Sequence, residues 1–221
     1  MAVSQDQAAV TVGLVLYPRF TALDIVGPFQ TLVDVPGVDA FFVAESAGPV
    51  TDHTGLLTMN ATACFDDVDA LDVLVVPGGF ADANLADDDP VVRFVRRIHP
   101  TTTWTTSVCT GSLFLATAGL LHGVEATSHW ASYGRLEKLG AVPTSARVVR
   151  SGKIITAAGV SSGIDMGLAL VAEIAGEETA KAVQLAIEYD PQPPYDSGSP
   201  AKADPELFAR VVEMFEPRRR G

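Results

Sequence analysis

Thr101-Thr-Thr-Trp-Thr-Thr-Ser-Val-Cys-Thr-Gly-Ser-Leu-Phe-Leu-Ala-Thr-Ala-Gly119 runs from β-branched residues, through a small side chain with a reactive atom at Cys109, into a helical pattern closed by glycine. The spacing predicts a strand over Thr101 to Val108. A helix follows from near Thr110, carrying Leu113, Phe114, Ala116 and Thr117 and stopping at Ala118-Gly119. Cys109 therefore stands where a strand gives way to a helix, with Gly111 two positions on to relieve crowding at the turn. Such a turn pushes its side chain out at the carboxyl end of a sheet, where open α/β proteins bind ligands. The fold class that follows is α/β, with a mostly parallel central sheet and helices on both faces.

Outward from this stretch the same pattern repeats. Ala9 to Tyr17 is a nearly continuous apolar and β-branched run closed by Pro18, as expected of a strand buried on both faces. A helix from about Ala22 to Val33 and a strand from Val38 to Glu45 follow. Asp72-Val-Leu-Val-Val-Pro-Gly-Gly79 is a third buried strand running into a glycine turn, and Val91 to Ile98 is helical. Later, Ala146 to Arg150 and Lys153 to Ala157 flank Ser151-Gly152 as a two-residue hairpin connection, which brings antiparallel pairing into the sheet. Ser161 or Ser162 caps a long apolar helix through Ala175, and further helices cover Glu177 to about Glu188 and Pro205 to Phe215. Between them, residues 190–203 form a Pro- and Gly-rich loop, either a connector or a clamp over a neighbouring surface.

With 221 residues, 48% hydrophobic and 19% charged, the chain reads as a single domain over 1–221, with residues 1–8 disordered. Its 15 basic and 27 acidic side chains give a formal charge of −12, and the only basic run, Arg218-Arg219-Arg220, reads as a solvated tail. Nucleic acid is not an expected partner. The acidic balance, including Asp87-Asp88-Asp89, raises solubility and fits a high-salt habitat. Met1 to Ala9 holds no Lys or Arg, and the first apolar run is far shorter than a membrane span, so a cytoplasmic location without membrane contact is expected. Cys64 and Cys109 should both be free thiols. With no Cys/His cluster at ligand spacing, no metal is implied.

Four places can carry chemistry. At the turn, the start of the following helix favours thiolate, so the Cys109 thiol pKa is expected to be depressed. The backbone N–H groups of Gly79 and Thr110 are candidates for an anion hole, with Gly78 beside them. Asp24 lies just after the first strand among apolar neighbours; its structural role would be helix capping, and its chemical role that of a partly buried acid and base facing the thiol. His129, in Ala126-Thr-Ser-His-Trp130, either pairs with Cys109 or serves a hydrogen-bonded structural role.

These residues resemble the ThiJ/PfpI superfamily of class I glutamine amidotransferase-like folds. The resemblance rests on the strand ending in Pro-Gly-Gly79, on Cys109-Thr110-Gly111 with Ser112-Leu-Phe-Leu, on Gly119 to Trp130 and on Leu23-Asp24-x-x-Gly27-Pro28. Within it, the Asp-x-x-Gly-Pro and Cys-Thr-Gly motifs and the loop Glu188 to Pro200 are similar to the isocyanide hydratase branch. The resemblance implies a flavodoxin-like three-layer sandwich and a homodimer, for which Gly163 and Gly167 offer a close-approach surface. Proteases and glyoxalase-like members usually place His after Cys or use Glu as the early acid, whereas this chain has Thr110 and Asp24. A branch fused to an AraC-type DNA-binding module is disfavoured, since few residues follow Phe215. The expected activity is that of a cofactor-free hydro-lyase acting on a small molecule, adding water to an isocyanide through a Cys109 thioimidate with Thr110 as a hydrogen-bond partner. Glyoxalase or deglycase activity and a non-enzymatic cysteine redox sensor are the rival readings.

Overall fold

The computed structural model describes residues 9–80 and 85–215, so the readings for 1–8 and for Arg218–Arg220 lie outside the described residues. The chain opens with β1 (Val10–Val15), α1 (Ala22–Leu32) and β2 (Val38–Ala44). It continues through β3 (Gly48–Thr51), β4 (Thr58–Ala61), β5 (Ala63–Cys64), β6 (Val73–Val76), α2 (Pro90–Ile98), β7 (Trp104–Val108) and α3 (Gly111–Thr117). β8 (Glu125–Ala126), α4 (Tyr133–Lys138), β9 (Val142–Pro143), β10 (Val148–Ser151), β11 (Ile154–Ala157), α5 (Ser162–Ala175), α6 (Glu177–Ala186) and α7 (Pro205–Phe215) complete it.

Seven strands form the central sheet in the order β10-β11-β7-β6-β1-β2-β5, all neighbours parallel except β10 with β11. From β1 the chain crosses to β2 on one side, whereas β6 and β7 are added on the other. Right-handed crossovers then put α1 and α2 on opposite faces. α5 packs on α1 and α6 on α5, while α2, α3 and α4 pack in series on the other face. The expected three-layer, flavodoxin-like sandwich is present.

β6 and β7 are buried throughout. The hydroxyl-rich Thr105-Thr106 segment tolerates this because Thr106 donates to the Leu74 carbonyl (2.9 Å) and Thr105 bonds His99 Nδ1 (2.8 Å) and the Thr102 hydroxyl (2.7 Å). Three local expectations are corrected. Ser151 pairs with Ile154, so the hairpin connection is Gly152-Lys153, with Gly152 at φ 60°. Neither serine caps α5: Ser161 precedes it without a side-chain cap bond, and the buried Ser162 hydroxyl has no partner. Gly163 and Gly167 do not offer an outer surface, because a Cβ on Gly167 would stand 2.0 Å from Thr31 Oγ1 and one on Gly163 3.1 Å from Pro28 Cδ. That close approach is the α1–α5 seam within the chain.

Short elements had no readable period: the β3–β4 hairpin, the edge strand β5, the β8–β9 pair and α4. Cys64 and Cys109 are both free. Among the described residues no helix is long and apolar enough to cross a membrane. The 190–203 loop is almost wholly exposed. Its Ser197–Pro200 part and α7 close on Trp130 around a cavity of about 260 Å³, where the Phe208 ring lies 5.2 Å from the indole.

Candidate active site

Strand order reverses beside β1, and in an open α/β sheet that switch point leaves a crevice at the carboxyl ends of the strands. Each neighbouring element delivers one group there. α1 brings Asp24, the turn after β6 brings Gly78 and Gly79, the turn after β7 brings Cys109 and Thr110, and the turn after β11 brings Val160.

Cys109 occupies the left-handed region at φ 58°, which a non-glycine residue holds only when its surroundings compel it. Here they do. Its N–H donates to the carbonyls of Ala157 (3.0 Å) and Ala158 (2.8 Å), and its own carbonyl accepts from the hydroxyls of Ser112 (3.2 Å) and Ser128 (3.0 Å). Gly111 is required because a Cβ there would stand 2.2 Å from the Val76 carbonyl oxygen. The strand-to-helix turn read from the sequence is thus over-determined on both sides.

Asp24 is fully buried and is not a helix cap. Its Oδ2 accepts the Gly78 N–H at 2.9 Å, its carboxyl interacts with the Cys109 thiol, and its buried Oδ1 has no hydrogen-bond partner among the described residues. Burial raises the carboxyl from 3.8 to about 7, opposed by the Gly78 amide and the thiol. The expected depressed thiol is corrected. Cys109 is 5% exposed, and burial first, then the Asp24 charge, push its thiol well above the ordinary range. The N–H groups of Val160 and Thr110 pull it down without prevailing. α3 has only seven residues, too short to offset burial with its N-terminal field.

The Gly79–Thr110 anion hole is likewise not presented as expected. Gly79 N–H donates to Thr110 Oγ1 (2.9 Å), and that hydroxyl donates back to the Gly79 carbonyl (3.2 Å). The amides that face a site atom are those of Thr110 and Val160, and the atom is sulfur. Gly78, expected to support the site from beside the anion hole, is its joint. A Cβ on it would meet Thr110 N and Oγ1, both at 2.6 Å, and Asp24 Oδ2 at 2.8 Å. His129 accepts the Ala131 N–H on Nδ1 (3.3 Å) and lies against Gly159, whereas the interactions on the thiol come from Asp24, Val160 and Thr110. Sequence reasoning missed Val160 and Ser128. A backbone amide leaves no side-chain signature, and the one available signal for Val160 was its place after a strand at the same sheet edge. Among the described residues no three His, Cys, Asp or Glu side chains gather to hold a metal ion.

Known proteins resemble this chain in sequence and in fold. The chain is 44% identical over 195 residues to the isonitrile hydratase of Pseudomonas putida, covering 88% of this chain and 85% of that protein. A deglycase of Thermococcus kodakarensis is 27% identical over 139 residues, 62% of this chain and 82% of its own length. The crystal structure of a ThiJ/PfpI family protein from Pseudomonas syringae superposes with a TM-score of 0.89 at 38% identity, covering 96% of this chain and 88% of that one. The DJ-1/PfpI family profile matches residues 10–173, which hold the whole crevice from Asp24 to Val160, and the chain belongs to that family.

Proposed function

We propose that this protein hydrates an isocyanide to an N-substituted formamide, with Cys109 as nucleophile and Asp24 as proton carrier. The observation that carries the reading is the buried Asp24–Cys109 pair, whose carboxyl is raised to about 7 by burial and keeps one oxygen without a hydrogen-bond partner among the described residues. The isonitrile hydratase relative supports the substrate class.

An isocyanide carbon accepts a soft nucleophile and becomes basic once sulfur has added, so the reaction needs a thiolate and an acid side by side. One proton shared by the pair is sufficient. With that proton on Asp24, sulfur bonds to the terminal carbon as one C–N π pair moves onto nitrogen, and Asp24 delivers its proton to the lone pair that the carbon keeps, giving a thioimidate. The Asp24 carboxylate then takes a proton from water as the water oxygen adds to carbon, and passes it to nitrogen. Finally Asp24 removes the hydroxyl proton, the C=O bond forms and the C–S bond breaks, which restores thiolate and acid. The sum is one isocyanide and one water to one formamide. The N–H groups of Val160 and Thr110 stabilise the sulfur anion at both ends of the cycle.

Raised values for both groups fit this scheme better than a freely ionised thiol would, because they keep the shared proton inside the pair at neutral pH. A redox sensor is disfavoured, since sensor cysteines are exposed and of low pKa. In the test, wild type turns over many equivalents of cyclohexyl isocyanide, Cys109→Ala turns over none, and mass spectrometry under excess substrate finds the adduct on Cys109. Consumption of methylglyoxal without isocyanide turnover would replace this reading with a deglycase one.

A further inference from the structure

We infer that Arg147, Asp165 and Tyr189 form a positioning network that holds the Val160 amide on the Cys109 sulfur. The inference rests on Cys109 being the reactive centre, and none of the three residues enters the chemistry above.

Val160 lies between two residues that Arg147 grips. The Arg147 carbonyl accepts the Ala158 N–H at 2.9 Å, and its guanidinium donates to Ser161 Oγ at 3.2 Å. The Ala158 carbonyl in turn accepts the Cys109 N–H at 2.8 Å, so one short turn is fastened to the Cys109 turn on one side and to Arg147 on the other. Asp165, one helical turn into α5, holds Arg147 through Nε and through a second guanidinium nitrogen, both at 2.6 Å from Oδ2. Tyr189 donates its hydroxyl to the same oxygen at 3.2 Å.

Two further features show that this is built. Ser161 would ordinarily cap α5; its hydroxyl is engaged by Arg147 instead, so the helix start is held from outside. Tyr189 is aimed by a strained backbone. Glu188 sits at φ 51°, and Gln184 fixes Tyr189 twice, its carbonyl accepting the Tyr189 N–H (3.0 Å) and its Nε2 donating to the Tyr189 carbonyl (3.1 Å). The segment after α6 is thereby tied to the sulfur through Tyr189, Asp165, Arg147 and Val160.

Asp165→Asn tests the network, read by the pH dependence of Cys109 alkylation with iodoacetamide, each cysteine being followed separately by mass spectrometry. Among the described residues, Asp24 of α1 is the charged side chain acting on the thiol, while the turns after β7 and β11 present backbone amides to it. Loss of the Val160 hydrogen bond should raise the alkylation midpoint by about 0.7 pH units, an approximately fivefold drop in thiolate at a fixed pH. A mere field effect has the opposite sign, because removing a carboxylate and leaving Arg147 unpaired favours thiolate. Tyr189→Phe should shift the midpoint the same way by less, and serves if Asp165→Asn fails to fold. An unchanged or lowered midpoint in the folded variants, even with reduced thermal stability, overturns the proposal. Alkylation needs no substrate, so a raised midpoint in a protein that never converts isocyanides would uphold the network while the hydratase reading fell.

Discussion

The Asp24 charge opposes ionisation of Cys109, and that opposition separates reactivity from catalysis at the level of single residues. Asp24→Asn removes the charge that pushes the thiol up, so alkylation of Cys109 should become several-fold faster at neutral pH while isocyanide turnover falls by about two to four orders of magnitude. Parallel loss of both would show that Asp24 only supports the fold. The same carboxyl makes stability depend on pH. Its folded value of about 7 lies above its unfolded 3.8, so the stability it contributes is complete below 3.8 and is lost as pH rises through about 7. The slope inside that window is at most about 1.4 kcal/mol per pH unit. Asp24→Asn has no charge to bury, so its melting temperature should gain on wild type between about pH 4 and about pH 7 and stay level above. A constant offset in differential scanning calorimetry would contradict the assigned burial.

At the scale of elements, the α1–α5 seam decides where Asp24 stands. Gly167→Ala would set a methyl 2.0 Å from Thr31 Oγ1, a hydroxyl already committed to the Pro28 carbonyl at 2.8 Å. The helices must part, at a cost of about 1–3 kcal/mol, and α1 carries Asp24, the proposed proton carrier, with it, so kcat should fall together with the melting temperature. Thr31→Ala removes the obstructing oxygen, and the double variant should recover much of the loss; additive effects in the double-mutant cycle would show that the two positions do not press on each other. The buried strands β1, β6 and β7 were legible because burial on both faces writes a nearly uninterrupted run of apolar or β-branched residues. β8, β9 and α4 were not, since two or six residues cannot display a period. The glycines of α5 were legible as a close approach, but their partner was not, because spacing names no opposite face.

For the molecule as a whole, Cys109, Asp24 and the glycine turn after β6 were readable because each falls at the carboxyl edge of a strand. The sign of the thiol shift was hidden, since it depends on how deeply the packed crevice buries the sulfur. The second copy expected from the family resemblance must likewise be argued on new ground, because the Gly163–Gly167 face is occupied inside the chain. We propose that the covering partner lies against α6 and the segment beyond it. No residue of α6 is buried, Leu185 on it is 82% exposed and Tyr195 in the segment that follows is 79% exposed, apolar side chains that a lone chain would leave in water. A charge of −12 on each copy opposes association, and salt shortens the reach of that repulsion to about 10 Å at 0.1 M. Light scattering at micromolar concentration should therefore give twice the mass of one chain at physiological ionic strength, drifting towards one chain as salt is removed. Leu185→Glu adds a charge to the face and should shift the mixture to single chains at every salt concentration. A wild-type mass of one chain throughout, or a dimer indifferent to Leu185→Glu, would move the interface elsewhere on the surface.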